Sequence, residues 1–208
     1  MYRKLLLVLA VALLCACSKV DIDPSLPLNS DKDFVLAQLS ENAYEVCRYN
    51  GRVNVRYSDY AQSTAFRAIV DKQCDGFMKV AVLGPFNMVA AEIVIENGLY
   101  NVYKGKQNIT DELPMALGPY EVELIQEALT LPPPMPDRTY DMLLASNGYL
   151  FSKGGTKIMV SSDFRVILVD EPSHAVGYVW NKAELDSVVL TQGLTSITVS
   201  FTDKPVIP

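Results

Sequence analysis

Few side chains in this sequence suit bond-making chemistry. His174 is the sole histidine of 208 residues and follows Glu171-Pro172-Ser173. A hydroxyl beside an imidazole is the raw material of a serine hydrolase. That chemistry also needs an acid to orient the ring and a sharp nucleophile turn of G-x-S-x-G type. The sequence has no such turn and marks no acid as partner, so His174 is expected as a solvated turn residue. Glu92 and Glu96 lie on one strand face, and Asp111-Glu112 follow Thr110 at a helix start. Paired carboxylates can cleave a glycosidic bond, yet acids also suit a wet strand edge and the first turn of a helix. No Gly-rich phosphate loop, zinc spacing or calcium loop is present, and Asn108-Ile109-Thr110 is a chance sequon. The expectation is a protein that acts without catalysis and without a cofactor or metal.

The cysteines point elsewhere. Met1–Lys4 carries two positive charges and Leu5–Leu14 is an apolar run of ten residues. That is half of the ~20 residues a membrane-spanning helix needs, which suits the core of a signal peptide. Leu14-Cys15-Ala16-Cys17 then resembles the bacterial lipobox, which implies that Cys17 is acylated and becomes the first mature residue. The expected organisation is a signal peptide over 1–16, a lipidated N-terminus and linker over 17–30, and one domain over 31–208. Ser18-Lys19 lack the aspartate linked with inner-membrane retention, so the implied destination is the periplasmic face of the outer membrane. Acyl chains, at ~0.8 kcal/mol per buried methylene, anchor a protein there without a spanning helix. Cys47 and Cys74 remain. In an oxidising compartment they are either paired or two buried free thiols, and their spacing suits neither a redox motif nor zinc.

Loss of residues 1–16 leaves 192 residues, room for one good-sized domain and its tether. Lys plus Arg falls from 18 to 16 while Asp plus Glu stays at 24, giving a mature net charge of −8. Such a chain, with no Lys/Arg cluster along it, is ill-suited to nucleic acid, and equally to anionic head groups by charge alone.

The elements that must position these residues are mostly strands. Phe77–Leu83 and Met88–Glu96 are apolar on both faces, joined through Gly84-Pro85-Phe86-Asn87. Asn97-Gly98 makes a two-residue hairpin into Leu99–Tyr103. Double apolarity predicts that both faces are covered. Before them, Asp31 or Asp33 caps a helix expected over Phe34–Tyr49 and ended by Asn50-Gly51. Arg52–Ser58 alternates Val53 and Val55 with Arg52, Asn54 and Arg56, a strand with one wet face, and Ala61–Lys72 is a longer strand. Helices are expected over Asp111–Leu117 and Tyr120–Leu129, with Leu131–Pro136 stiff and extended. One more short helix is expected over Asp137–Ala145. From Gly148 to Thr202 the pattern is β again. Strands, helices, then strands predict an α+β domain: one large antiparallel sheet with helices on one face.

In this order of elements the chain resembles the lipoprotein-localisation superfamily of LolA/LolB-like domains, and within it the LolB-like outer-membrane branch. The resemblance runs from roughly Arg52 to Phe201. It is carried by the acylated N-terminus, the strand Ser63–Lys72, the phrase Val82-Leu83-Gly84-Pro85-Phe86, the stretch Ile93–Gly98 and the helix pair before Pro132–Pro136. It implies a strongly curved, unclosed barrel whose open side is plugged by helices, with an apolar cavity for acyl chains between them. The apolar strands and helices nominate Phe66, Ala68, Val70, Met78, Val80, Val82, Val89, Ile93, Ile95, Leu124, Ile125 and Leu129 as cavity residues. The loop Leu83, Gly84, Pro85, Phe86 corresponds to one that protrudes in LolB and shows a bulky apolar residue to membrane or cargo. The resemblance further implies a monomer that accepts an acylated lipoprotein, or phospholipid, from a soluble periplasmic carrier. The alternative is an accessory outer-membrane lipoprotein that binds a protein partner.

Overall fold

The computed structural model of the protein describes residues 28–42, 48–112, 125–129, 131 and 133–205. The expected acylation site Cys17 and the cavity candidate Leu124 lie outside the described residues, as do Cys47 and most of the two helices expected between 111 and 129. Among the described residues, thirteen strands form a single antiparallel sheet in the order β6-β5-β4-β3-β2-β1-β13-β12-β11-β10-β9-β8-β7. Its members are β1 (Tyr49–Ser58), β2 (Ser63–Lys72), β3 (Met78–Leu83), β4 (Val89–Glu96), β5 (Leu99–Lys104) and β6 (Gln107–Asn108) in the first half. The second half holds β7 (Asp141–Ala145), β8 (Gly148–Lys153), β9 (Thr156–Ser161), β10 (Val166–Asp170), β11 (Ala175–Asn181), β12 (Glu184–Gln192) and β13 (Thr195–Phe201).

The chain therefore starts in the middle of the sheet and walks by hairpins to one edge, β6. It then crosses to the other edge, β7, and walks back until β13 closes on β1. The edges β6 and β7 stay unpaired with each other, so the barrel is unclosed. Of the chain between them, Ile125, Ala128, Leu129 and Leu131 are buried in the same core as the strands.

Period-2 alternation decides which face is inside. Tyr49, Val53 and Val55 of β1 are buried while Asn50, Arg52, Asn54 and Arg56 are exposed. Register carries this row across: Val70 faces Val80, Val80 faces Ile93, and Ile93 faces Val102. Burying such β-branched residues on one face is what holds the sheet together, at roughly 25 cal/mol per Å² of apolar surface. The outer alternates of the doubly apolar strands depart from expectation. Ala81 is nearly buried, beside the 2.8 Å Lys79–Glu92 ion pair, but Val94 and Leu83 are half-buried and Ile69 is exposed.

Helix α1 (Lys32–Glu41) is shorter than expected. The Asp31 carboxylate caps it by accepting from the backbone N–H of Asp33 at 3.0 Å and of Phe34 at 3.4 Å. Val35 and Leu39, one turn apart, are its buried stripe, and Phe34 meets Phe164 edge-on. Asn50-Gly51, read as the helix stop, lies inside β1 instead. Gly51 is needed there for space, because a Cβ would come within 2.5 Å of the Tyr49 hydroxyl. The short helix expected over Asp137–Ala145 is also corrected: a turn at Asp137–Tyr140 leads into β7, whose Met142 and Leu144 pair with Phe151 and Tyr149. Its apolar pairs answer partners on β8, a contact that helical spacing along the sequence does not reveal.

Candidate functional site

The loop between β3 and β4 is built to hold one side chain away from the protein. Pro85–Asn87 form a single 3-10 turn, and the Gly84 N–H donates to the Met88 carbonyl at 2.8 Å across its base. Gly84 suits this closure, since a Cβ would sit 3.3 Å from that of Ala90. Phe86 takes the left-handed conformation, φ 58° and ψ 24°, and Asn87 follows at φ 59°. A bulky residue there is strained. Phe86 is nevertheless 94% exposed, and Met88 and Val89 beside it are 65% and 51% exposed. Strain and forfeited burial together set this residue apart. At the loop's base lies an open hollow of about 410 Å³ lined by Asn54, Ala65, Phe66, Arg67, Leu83, Gly84 and Pro85.

The residues nominated for the interior sort themselves by register. Ala68, Val70, Met78, Val80, Ile93 and Ile95 are buried on the inner face, with Phe66 and Val82 half-buried on it. Ile125 and Leu129 from the crossing segment join the same cluster. Val89 does not: a register shift between Val82 and Leu83 takes it out of the inward row and into solvent. Ile93 and Ile95 are 2% and 1% exposed, so side chains fill the space around them.

Two polar ties fasten the crossing segment, and sequence reading missed both. Lys72 points inward from β2 and its ammonium donates to the Leu131 carbonyl at 2.7 Å, burial holding its pKa below the usual lysine value. His174 corrects an expectation. Its side chain is only 12% exposed, with Nε2 against the Glu127 carboxylate and Nδ1 2.9 Å from Ser173 Oγ. The turn is superficial, but a helical turn at 125–128 lies over it, and that contact is not coded locally. Glu127 also raises the Tyr178 phenol pKa, second to burial. Hydroxyl, imidazole and carboxylate stand in line. Their visible work is to join the β10–β11 turn to the crossing segment.

Glu92 is bound by Lys79 on the outer face and Glu96 is exposed, as ordinary wet-face acids. Cys74, in the β2–β3 turn, is disulfide-bonded. Among the described residues no group of three or more His, Cys, Asp and Glu could hold a metal ion.

No family model and no curated protein matches the sequence. Among solved structures, the chain is similar to a LolA superfamily protein from Nitrosomonas europaea, at 10% identity and TM-score 0.45 over 85% of this chain and 94% of that one. It is also similar to an outer membrane lipoprotein-sorting domain from Vibrio parahaemolyticus, at 9% identity and TM-score 0.47 over 83% and 90%. A DUF1329 family protein from Desulfovibrio piger gives 6% and 0.47 over 82% and 90%. No residue's role and no activity is carried over from any of the three. The first bears the name LolA, one half of the LolA/LolB-like superfamily that the order of elements suggested, and LolB itself is not among the three.

Proposed function

We propose that this protein is a lipid-anchored acceptor at the periplasmic face of the outer membrane. It takes an acylated lipoprotein, or a lipid, from a soluble periplasmic carrier and hands it to the bilayer. The observation that carries the reading is Phe86: a large apolar ring, 94% exposed on a strained loop, at the position the sequence resemblance nominated. Burying such a ring is worth ~1.5–3 kcal/mol, which an acyl chain or a bilayer supplies on contact. The acyl chain takes the volume now held by Ile125, Ala128, Leu129 and Leu131, once the ties from Lys72 and His174 release the crossing segment. Transfer then follows the difference in acyl affinity between carrier, acceptor and membrane, and needs no nucleotide.

A second reading, an accessory lipoprotein that binds a protein partner, draws on the closely filled interior around Ile93 and Ile95. Native mass spectrometry separates the two. The protein is weighed as purified from cells and again after mixing with an acylated lipoprotein, beside the Phe86→Glu variant. Retained phospholipid or lipoprotein, reduced in the variant, supports the acceptor. A clean unliganded mass with no uptake sinks it and leaves the partner reading.

A further inference from the structure

Three turns lie side by side on one rim of the sheet. Ser58 pairs with both Ser63 and Ser196, which puts the β1–β2 and β12–β13 turns at the same end. Arg67 pairs with Leu83, which brings the β3–β4 loop to that end too. In sheet order these are successive turns, two strands apart, hence about 10 Å from one to the next. Each carries a large side chain held out in water: Phe86 at 94% exposed, Tyr60 at 86% and Leu194 at 79%. Turn tips ordinarily take Gly, Asn, Asp or Ser. The opposite rim follows that rule, with Asp75-Gly76, Asn97-Gly98, Asp163 and Lys182 in its turns, and Leu99 and Leu144 are exposed beside them.

Charge has the same address. Arg56 and Arg67 project from the outer face just behind these tips, diagonal neighbours across the β1–β2 pair. Among the described residues neither forms an ion pair, in a chain of net charge −6. The nearest acid, Asp59, is spent within its own turn on the N–H groups of Ala61 and Gln62 at 2.7 and 2.8 Å and the Tyr57 hydroxyl at 3.1 Å.

We infer that this rim is a membrane-docking surface for anionic phospholipid, with Phe86, Tyr60 and Leu194 entering the interfacial layer and Arg56 and Arg67 meeting lipid phosphates. Aromatic and aliphatic tips favour that layer, and an arginine near an anionic surface adds attraction that salt screens. Three points about 10 Å apart fix the tilt of the domain, which a single protruding residue does not. The docking is independent of what the interior binds.

The test is hydrogen–deuterium exchange on the full chain reconstituted into vesicles of phosphatidylcholine alone or with phosphatidylglycerol added. The expected result is slowed exchange over 59–62, 84–89 and 193–194 on the anionic vesicles, with Asn97-Gly98 unchanged. Arg56→Gln and Arg67→Gln each shift the docked fraction by roughly fivefold, and higher salt does likewise. Equal exchange on both vesicles overturns the proposal. So does protection of these turns that arises only on adding an acylated lipoprotein, which makes the rim a protein-binding surface instead.

Discussion

Phe86 concentrates the functional argument in one residue. Its left-handed backbone costs roughly 1–2 kcal/mol for an L-residue with a Cβ, and its ring regains nothing by packing because it is 94% exposed. Such a residue persists for a reason other than stability. Asn tolerates the left-handed region because its short side chain bonds locally. Phe86→Asn is therefore expected to raise stability by about 0.5–1 kcal/mol, read as a higher urea midpoint with unchanged slope. At the same time it should weaken lipid contact. A lower midpoint would mean that the ring packs after all, and the functional reading of the loop would fall. His174 shows the converse. Its neighbours in sequence mark it as an ordinary turn residue, and only Glu127, arriving from the crossing segment, gives it a structural task.

At the scale of elements, the seam between β1 and β13 matters most, because it alone joins the two halves of the sheet. Pairing runs from Ser58↔Ser196 to Val53↔Phe201, and a clasp extends it. Asp203 accepts from the Arg52 backbone N–H and Nε at 2.9 Å and from Nη2 at 3.0 Å, while its carbonyl accepts from the Tyr49 hydroxyl at 2.8 Å. The hydrogen bonds from Arg52 draw the Asp203 carboxyl down to about 2. A carboxylate with a depressed folded pKa stabilises fully above its unfolded value of about 3.9 and loses that contribution as pH falls through the folded value. The clasp is thus intact at neutral pH and is lost between about pH 4 and pH 2. Melting temperatures across that window should fall less steeply for Asp203→Asn than for the parent chain; parallel slopes would show that the clasp does not couple to folding.

Across the whole molecule, the topology brings β1 and β13 together at the centre of the sheet and leaves β6 and β7 at its edges. Cys74, in the second turn of the walk outward from β1, is disulfide-bonded. The expected partner is Cys47, which would close a loop around the whole β1–β2 hairpin. Loops of that order constrain the unfolded chain by about 3 kcal/mol. Reduction, or Cys74→Ser, is expected to lower unfolding free energy by about that amount, and peptide mapping of the oxidised protein should recover 47 joined to 74. A bridge to a different cysteine would refute the assignment.

What the sequence determined by itself was local. Alternation along β1 set its faces, Asn97-Gly98 placed a hairpin, and Asp31 capped α1, because each of these depends on residues within one or two turns of one another. Which alternate set of β2, β3 and β4 points inward depends on register, and a shift of one pairing takes Val89 out of the inward row. Tertiary structure decided everything that depends on residues distant in sequence. It laid the crossing segment over the inner face, paired His174 with Glu127, and turned the stretch before Ala145 into an edge strand rather than a helix. It also gathered Arg56, Arg67, Tyr60, Phe86 and Leu194 at one end. Read along the chain they are isolated charges and isolated apolar residues, with no cluster among them. Antiparallel pairing places every second turn on the same rim, and that geometry alone makes them a surface.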